Sequence, residues 1–209
     1  MKFLNSSYVL CIGAHPDDVE YGMAGVFSKC YDTNFTVIVM SDGGDFDKTT
    51  TSTNRRYENE RIWTMFDNVD GIVYDQYFVK DQFEDEMVNI IEKHHIKNYD
   101  TIVTTPQEDS HFEHRMINNL GPALCRRTPT SLVEYRTPST LNHWIPNHFV
   151  SLSPEVYSKK KLALKRFKSQ QDAPYFNKEC INSFHHNFLC NKKGLSKVES
   201  YRIVESFQK

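Results

Sequence analysis

Short apolar runs alternate with amphipathic stretches over the first two-thirds of this chain, and that alternation confines it to a parallel sheet covered by helices. Tyr8 to Gly13 reads as a buried strand. From Asp17 to Tyr31 the apolar positions Val19, Met23, Val26 and Cys30 fall at helical spacing. Phe35 to Met40 reads as a second strand, ending in the loop signal Ser41-Asp42-Gly43-Gly44, and the Thr-rich residues 45–54 read as a surface loop. Helices are expected from Asn54 to Phe66, Asp81 to His94 and Phe112 to Arg126, with strands from Ile72 to Tyr77 and Thr101 to Thr105. The last third is less regular. Strands are expected at Leu132 to Tyr135 and His148 to Leu152, and a helix from Ser153-Pro154-Glu155 to Gln170. Residues 172–194 read as an irregular loop, and a final helix starts near Ser196, which pairs with Glu199 as a capping box. The expected architecture is α/β: a Rossmann-like, open, mostly parallel sheet with helices on both faces, in a single domain over 1–209.

Composition narrows the function classes. The 25 Lys+Arg and 27 Asp+Glu leave a net charge of −2, without the basic excess of a nucleic-acid binder. Hydrophobic residues at 39% and aromatics at 13% exclude a disordered chain. No apolar run approaches the ~20 residues of a membrane helix. Lys2 precedes a short apolar stretch that runs into Asp17 and Asp18, which is no export signal. The five cysteines are scattered without a C-x-x-C pair, so a cytoplasmic location is expected, with Cys11 and Cys30 as buried thiols. Lys159 to Lys168 reads as a solvated helix side with Leu162, Leu164 and Phe167 packing between the lysines.

Two segments carry chemistry. Gly13-Ala14-His15-Pro16-Asp17-Asp18-Val19-Glu20 lies where the first strand passes into the first helix, at the ligand-binding edge of an open α/β sheet. A helix-capping role for Asp17 or Asp18 explains it equally well. Thr104-Thr105-Pro106-Gln107-Glu108-Asp109-Ser110-His111-Phe112-Glu113-His114 follows another strand and reaches the same edge. His111 and His114 are three apart and share a helix face; His94-His95 and His185-His186 read as surface pairs. Two imidazoles and two carboxylates converging from two strand ends suit one zinc ion, with Fe2+ or Co2+ as alternatives. That points to metal-assisted hydrolysis. Spacing leaves open which of His111 and His114 binds the metal. Trp63 reads as core; Trp144, with His143 beside it in a Pro- and Asn-containing loop, reads as a pocket wall.

Ala14-His15-Pro16-Asp17-Asp18-Val19-Glu20 resembles the signature of the LmbE-like (PIG-L) zinc de-N-acetylases. Further pieces match in order: Ser41-Asp42-Gly43-Gly44, Arg55-x-x-Glu58, Asp109-x-His111-x-Glu113-His114, Lys160-x-x-Ala163 with Ser169-Gln170, and Glu199-Ser200-Tyr201. Glu113 stands where the family has Asp, Ser41 where Thr is common, and the segment after Gln170 departs most. The resemblance implies that His15, Asp18 and His114 bind zinc and that Asp17 is the general base for the zinc-bound water. It implies that His111 stabilises the oxyanion as an imidazolium and that Arg55 contacts the substrate's sugar or phosphate side. Asp109 either orients a histidine or caps its loop, and Glu113 orients a neighbouring histidine. The implied substrate is a small-molecule or glycoconjugate amide of the N-acetylglucosaminyl type. Oligomers are common in the family, and no homo-oligomer interface is legible here. No G-x-G-x-x-G opens the first helix, so a dinucleotide-binding module is disfavoured.

Overall fold

The computed structural model describes residues 1–43, 50–74, 83–94, 98–126, 129–187 and 197–206. The elements are β1 (Tyr8–Gly13), α1 (Asp18–Lys29), β2 (Asn34–Val39), α2 (Thr50–Trp63), β3 (Val69–Val73), α3 (Phe83–Lys93), β4 (Thr101–Thr104), α4 (Phe112–Cys125), β5 (Ser131–Tyr135), β6 (His148–Leu152), α5 (Pro154–Leu164), α6 (Lys178–Phe184) and β7 (Lys197–Glu205). They build a seven-stranded sheet of order β3-β2-β1-β4-β5-β7-β6. The first five strands pair in parallel, and β7 runs antiparallel between β5 and β6. This is the expected mostly parallel α/β sheet.

Alternation along β1 shows why both faces need helices. Val9 and Cys11 enter one core, with Val19, Met23 and Val26 of α1 and Ala163 and Leu164 of α5. Leu10 and Ile12 enter the other, with Met87, Ile90 and Ile91 of α3 and Ile117, Leu120 and Leu124 of α4. A strand buried on both faces reads as an unbroken apolar run. Cys11 and Cys30 are buried free thiols, and Trp63 is core. No helix among the described residues is long and apolar enough to cross a membrane.

The last third corrects several expectations. α5 stops at Leu164, and a 3-10 turn covers Lys168–Gln170. The expected loop contains α6, capped by the Asn177 side chain on the Glu179 N–H. The expected final helix is the strand β7, while Ser196 lies outside the described residues, as do Gly44, Asp81 and residues 75–77. On α5 the polarity is inverted: Lys160 is fully buried and Leu162 is exposed. His185, read as a surface residue, is also fully buried.

Candidate active site

The strand order reverses between β1 and β4, which are hydrogen-bonded neighbours. Such a switch point opens a crevice at the carboxyl ends of the strands. The chain leaves β1 through His15–Asp17 into α1, and leaves β4 through Thr105–His111 into α4, so both motifs arrive there. Asp17 precedes α1 at φ 111°, in the left-handed region, and its side chain makes no capping bond. Asp18 turns back instead, its Oδ2 accepting the His15 N–H at 2.8 Å.

Asp18 Oδ2 lies 3.4 Å from His15 Nδ1 and 3.2 Å from His114 Nε2. Donors bound at ~2.0–2.1 Å to one tetrahedral zinc stand about 3.3 Å apart. Both separations therefore fit edges of a zinc tetrahedron. The outer nitrogens of the two rings are held by carboxylates: His15 Nε2 by Glu113, and His114 Nδ1 by Asp109 Oδ2 at 3.0 Å. Metal-binding imidazoles are oriented in this way. One ring nitrogen from each of His15, His111 and His114 also lies within 4.8 Å of the other two. The His111 side chain is 46% exposed against 4% for His114. His111 thus sits at the solvent edge and His114 at the base.

Asp109 fills both roles that the sequence left open. Its Oδ1 accepts the His111 N–H at 2.8 Å, while its Oδ2 faces His114 and accepts the Thr137 hydroxyl. Ser139 Oγ adds a contact 3.2 Å from His114 Nδ1. Thr137 and Ser139 escape a sequence reading, because they come from the loop after β5, docked on the histidine loop by the Asp109–Thr140 bridge.

Charge follows the same geometry. Burial works against the Asp18 carboxylate, but His114 and His15 outweigh it and hold its pKa well below the usual range. Burial also opposes the His114 imidazolium, yet Asp18 and Asp109 carry its pKa up to about 10. Asp17 goes the other way: burial raises it to about 7, against the pull of Arg55 and with the push of Asp18. His111 is lowered by burial and then by the charges of His15 and His114. Cations on its inner side disfavour a further positive charge on the ring.

Arg55 donates both of its Nη groups to the protein. Its Nη2 donates to Pro16 O at 3.0 Å and Asp17 Oδ2 at 3.3 Å, and its Nη1 to Gly43 O at 3.2 Å. Gly43 has φ 73°, and the guanidinium occupies the place of a Cβ there. Arg55 thus ties Asp17 to the loop after β2, while its buried Nε has no hydrogen-bond partner among the described residues. Trp144 is likewise not offered to solvent: it is buried, donates its indole N–H to Glu134 at 3.0 Å, and lies under Arg202. His143 is exposed. Tyr175, from a 3-10 turn at Pro174–Phe176, brings its phenol beside Asp17; burial, and then the Asp17 charge, raise its pKa. No local signal marks it, because its partner is more than 150 residues away in the chain.

The GlcNAc-PI de-N-acetylase (PIG-L) family pattern matches residues 10–125, more than half of the chain and both strand-end motifs. YaiS of Escherichia coli K12, described as an uncharacterized deacetylase, is 27% identical over 180 residues, covering 77% of this chain and 90% of its own. N,N'-diacetylchitobiose deacetylase of Pyrococcus horikoshii shares the fold with a TM-score of 0.72 at 21% identity, over 96% of this chain and 85% of its own. The 4-carboxy-2-hydroxymuconate hydratase GalB of Pseudomonas putida does so with a TM-score of 0.73 at 12% identity, over 100% and 98%. At these identities the structural likenesses speak for fold, and the sequence match speaks for descent: the chain belongs to the PIG-L (GlcNAc-PI de-N-acetylase) family.

Proposed function

We propose that this protein is a zinc-dependent hydrolase that removes the acetyl group from an N-acetylated amino sugar or glycoconjugate. One observation carries the reading: Asp18 Oδ2 stands at tetrahedral-edge distances from two imidazole nitrogens, with the Asp17 carboxylate beside the set and outside it. His15, Asp18 and His114 would hold one divalent ion, and the mixed nitrogen–oxygen donors suit zinc, with iron or cobalt as alternatives. When bound, the ion supplies Lewis acidity to the amide carbonyl and to a water.

The remaining chemistry belongs to side chains. Asp18 has its charge committed to the ion, so Asp17 is the base: it takes a proton from the attacking water and delivers it to the leaving amine. Arg55 fixes that carboxylate. His111, half-exposed beside the donor set, donates an N–H to the carbonyl oxygen as negative charge develops there. Asp109 and Glu113 hold the two inner rings in orientation. His143, on the exposed loop that carries Trp144, is a substrate contact.

Family membership supports deacetylation, and the family's description as GlcNAc-PI de-N-acetylases supports an N-acetylglucosaminyl type of substrate. Fold alone does not choose the reaction, since GalB is a hydratase. The experiment is to offer the zinc-loaded protein N-acetylglucosamine and N,N'-diacetylchitobiose and to read primary amine and acetate. Release of both, lost with a chelator and restored by zinc, is the expected result. Acetate released only from esters, or no release from a metal-bound protein, overturns the reading.

A further inference from the structure

Two charged side chains bond to backbone groups in the middle of α1, the helix that begins at the metal motif. Glu199 of β7 accepts the Gly25 N–H on Oε1 and the Val26 N–H on Oε2, each at 2.7 Å. The carbonyls four residues earlier, of Tyr21 and Gly22, accept from Lys160 Nζ at 2.6 Å and from the Tyr201 hydroxyl at 3.3 Å. Lys160 and Glu199 form an ion pair, and the Tyr201 hydroxyl lies 3.1 Å from Glu199 Oε2. All three side chains are buried. A Cβ on Gly25 would stand 2.9 Å from Glu199 Oε1 and 2.6 Å from Leu152 Cδ2, so a glycine is required where the carboxylate meets the helix.

Stability is a weak explanation for this arrangement. Replacing a buried ion pair by apolar groups is often neutral or stabilising, and a helix needs no outside partner to bond its own middle. What these bonds do is fix α1 to β7 and α5. The fixation reaches the site through Tyr21, which accepts Lys160 on its carbonyl and donates its N–H to Asp17 O at 2.8 Å.

We propose that Lys160 and Glu199 are positioning residues of the metal centre, an ion pair that sets where the first turn of α1 lies along its axis and so where Asp17 and Asp18 reach. The inference rests on the zinc-hydrolase reading of that site.

The test is the double variant Lys160→Met/Glu199→Met, with zinc affinity measured by competition against a fluorescent chelator. In the double variant the Gly25 and Val26 N–H groups keep the carbonyls of Tyr21 and Gly22 as helical i→i−4 partners. Zinc affinity is expected to fall roughly tenfold, in the range of groups that orient metal ligands, and kcat at saturating zinc to fall with KM unchanged. Tyr157→Phe is the control: it removes a hydroxyl bonded to Asn182 Oδ1 at 2.9 Å on the same flank without touching α1's ladder. A double variant that binds zinc like wild type, or a control that loses as much affinity, overturns the inference. Should the double variant not fold, Glu199→Gln carries the same test, and unchanged affinity there overturns the inference too. Wild-type protein that binds no zinc removes the metal reading, and the inference with it; wild-type binding with unaffected variants removes the inference alone.

Discussion

Asp17 sits at φ 111°, a conformation that costs a non-glycine residue about 1–3 kcal/mol and persists only where its surroundings impose it. Here the Arg55 contacts and the bond from Tyr21 N–H impose it. The side chain that results neither caps the helix nor joins the Asp18–histidine set. Asp17→Asn is therefore expected to keep stoichiometric metal, measured by elemental analysis, and to lose ~10²–10⁴-fold in turnover. Full activity in that variant would remove the base assignment. The two histidines of the second motif should separate in the same measurement. His114→Ala is expected to lose metal, because His114 is the buried partner of Asp18 and Asp109. His111→Ala is expected to keep it and to slow turnover roughly 10²–10³-fold through loss of one oxyanion donor. Zinc lost from His111→Ala and retained by His114→Ala would exchange their roles. Within a motif, spacing told which residues share an edge of the sheet; it was silent on which ring faces inward, because both orientations share the i, i+3 pattern.

Among elements, α1 depends most on a partner from far along the chain. Gly25→Ala forces a methyl group against Leu152 and the Glu199 carboxylate. Overpacking of this kind costs typically ~1–3 kcal/mol, read as a lower midpoint in urea at unchanged slope. A midpoint equal to wild type would mean that β6 and β7 yield freely and that the contact is not tight. The same contact explains what the sequence concealed. β1, β2, β4 and β5, with α1, α3 and α4, were legible because their apolar runs and helical spacings are local properties of the chain; β3 lies at Val69–Val73 where Ile72 to Tyr77 was expected, and α2 starts at Thr50, inside the expected loop. β7 was not: Glu199 and Tyr201 point into the molecule together with Val198, and a buried carboxylate breaks the alternation that marks a strand. A glutamate three residues after a serine then reads as a capping box. Lys160 misleads in the same way, as a charge on the buried side of α5. Thr137, Ser139 and Tyr175 carry no signal at all, since only the folded chain brings them to the histidines and to Asp17.

For the whole molecule, stability against pH is a sum of opposing titrations, and a buried histidine far from the strand ends lets one of them be isolated. His185 is fully buried among Tyr21, Tyr157 and Phe184, with Nδ1 2.8 Å from Ile181 O. Burial, then the charge of Lys160, hold its pKa well below 6.5. In the unfolded chain it titrates near 6.5. Above that value neither state binds the proton, and His185 leaves stability unchanged. Below it the unfolded chain takes a proton that the folded one refuses, so stability falls by about 1.4 kcal/mol per pH unit until the folded pKa is reached. In the metal-free protein Asp17 has the opposite sign. With a folded pKa of about 7, it gains a proton on folding between pH 7 and its unfolded value, and acid favours the native state there. A single wild-type curve can therefore look flat. The informative quantity is the difference in unfolding free energy between wild type and His185→Gln, measured by urea titration with a chelator present, from pH 7.5 to 5. The Asp17 contribution cancels in that difference, and lost packing adds only a constant. The advantage of wild type over the variant should shrink as pH drops from 6.5, with a slope approaching ~1.4 kcal/mol per unit. A difference independent of pH would mean that His185 takes up its proton inside the fold, and that water reaches the contact between α1, α5 and α6.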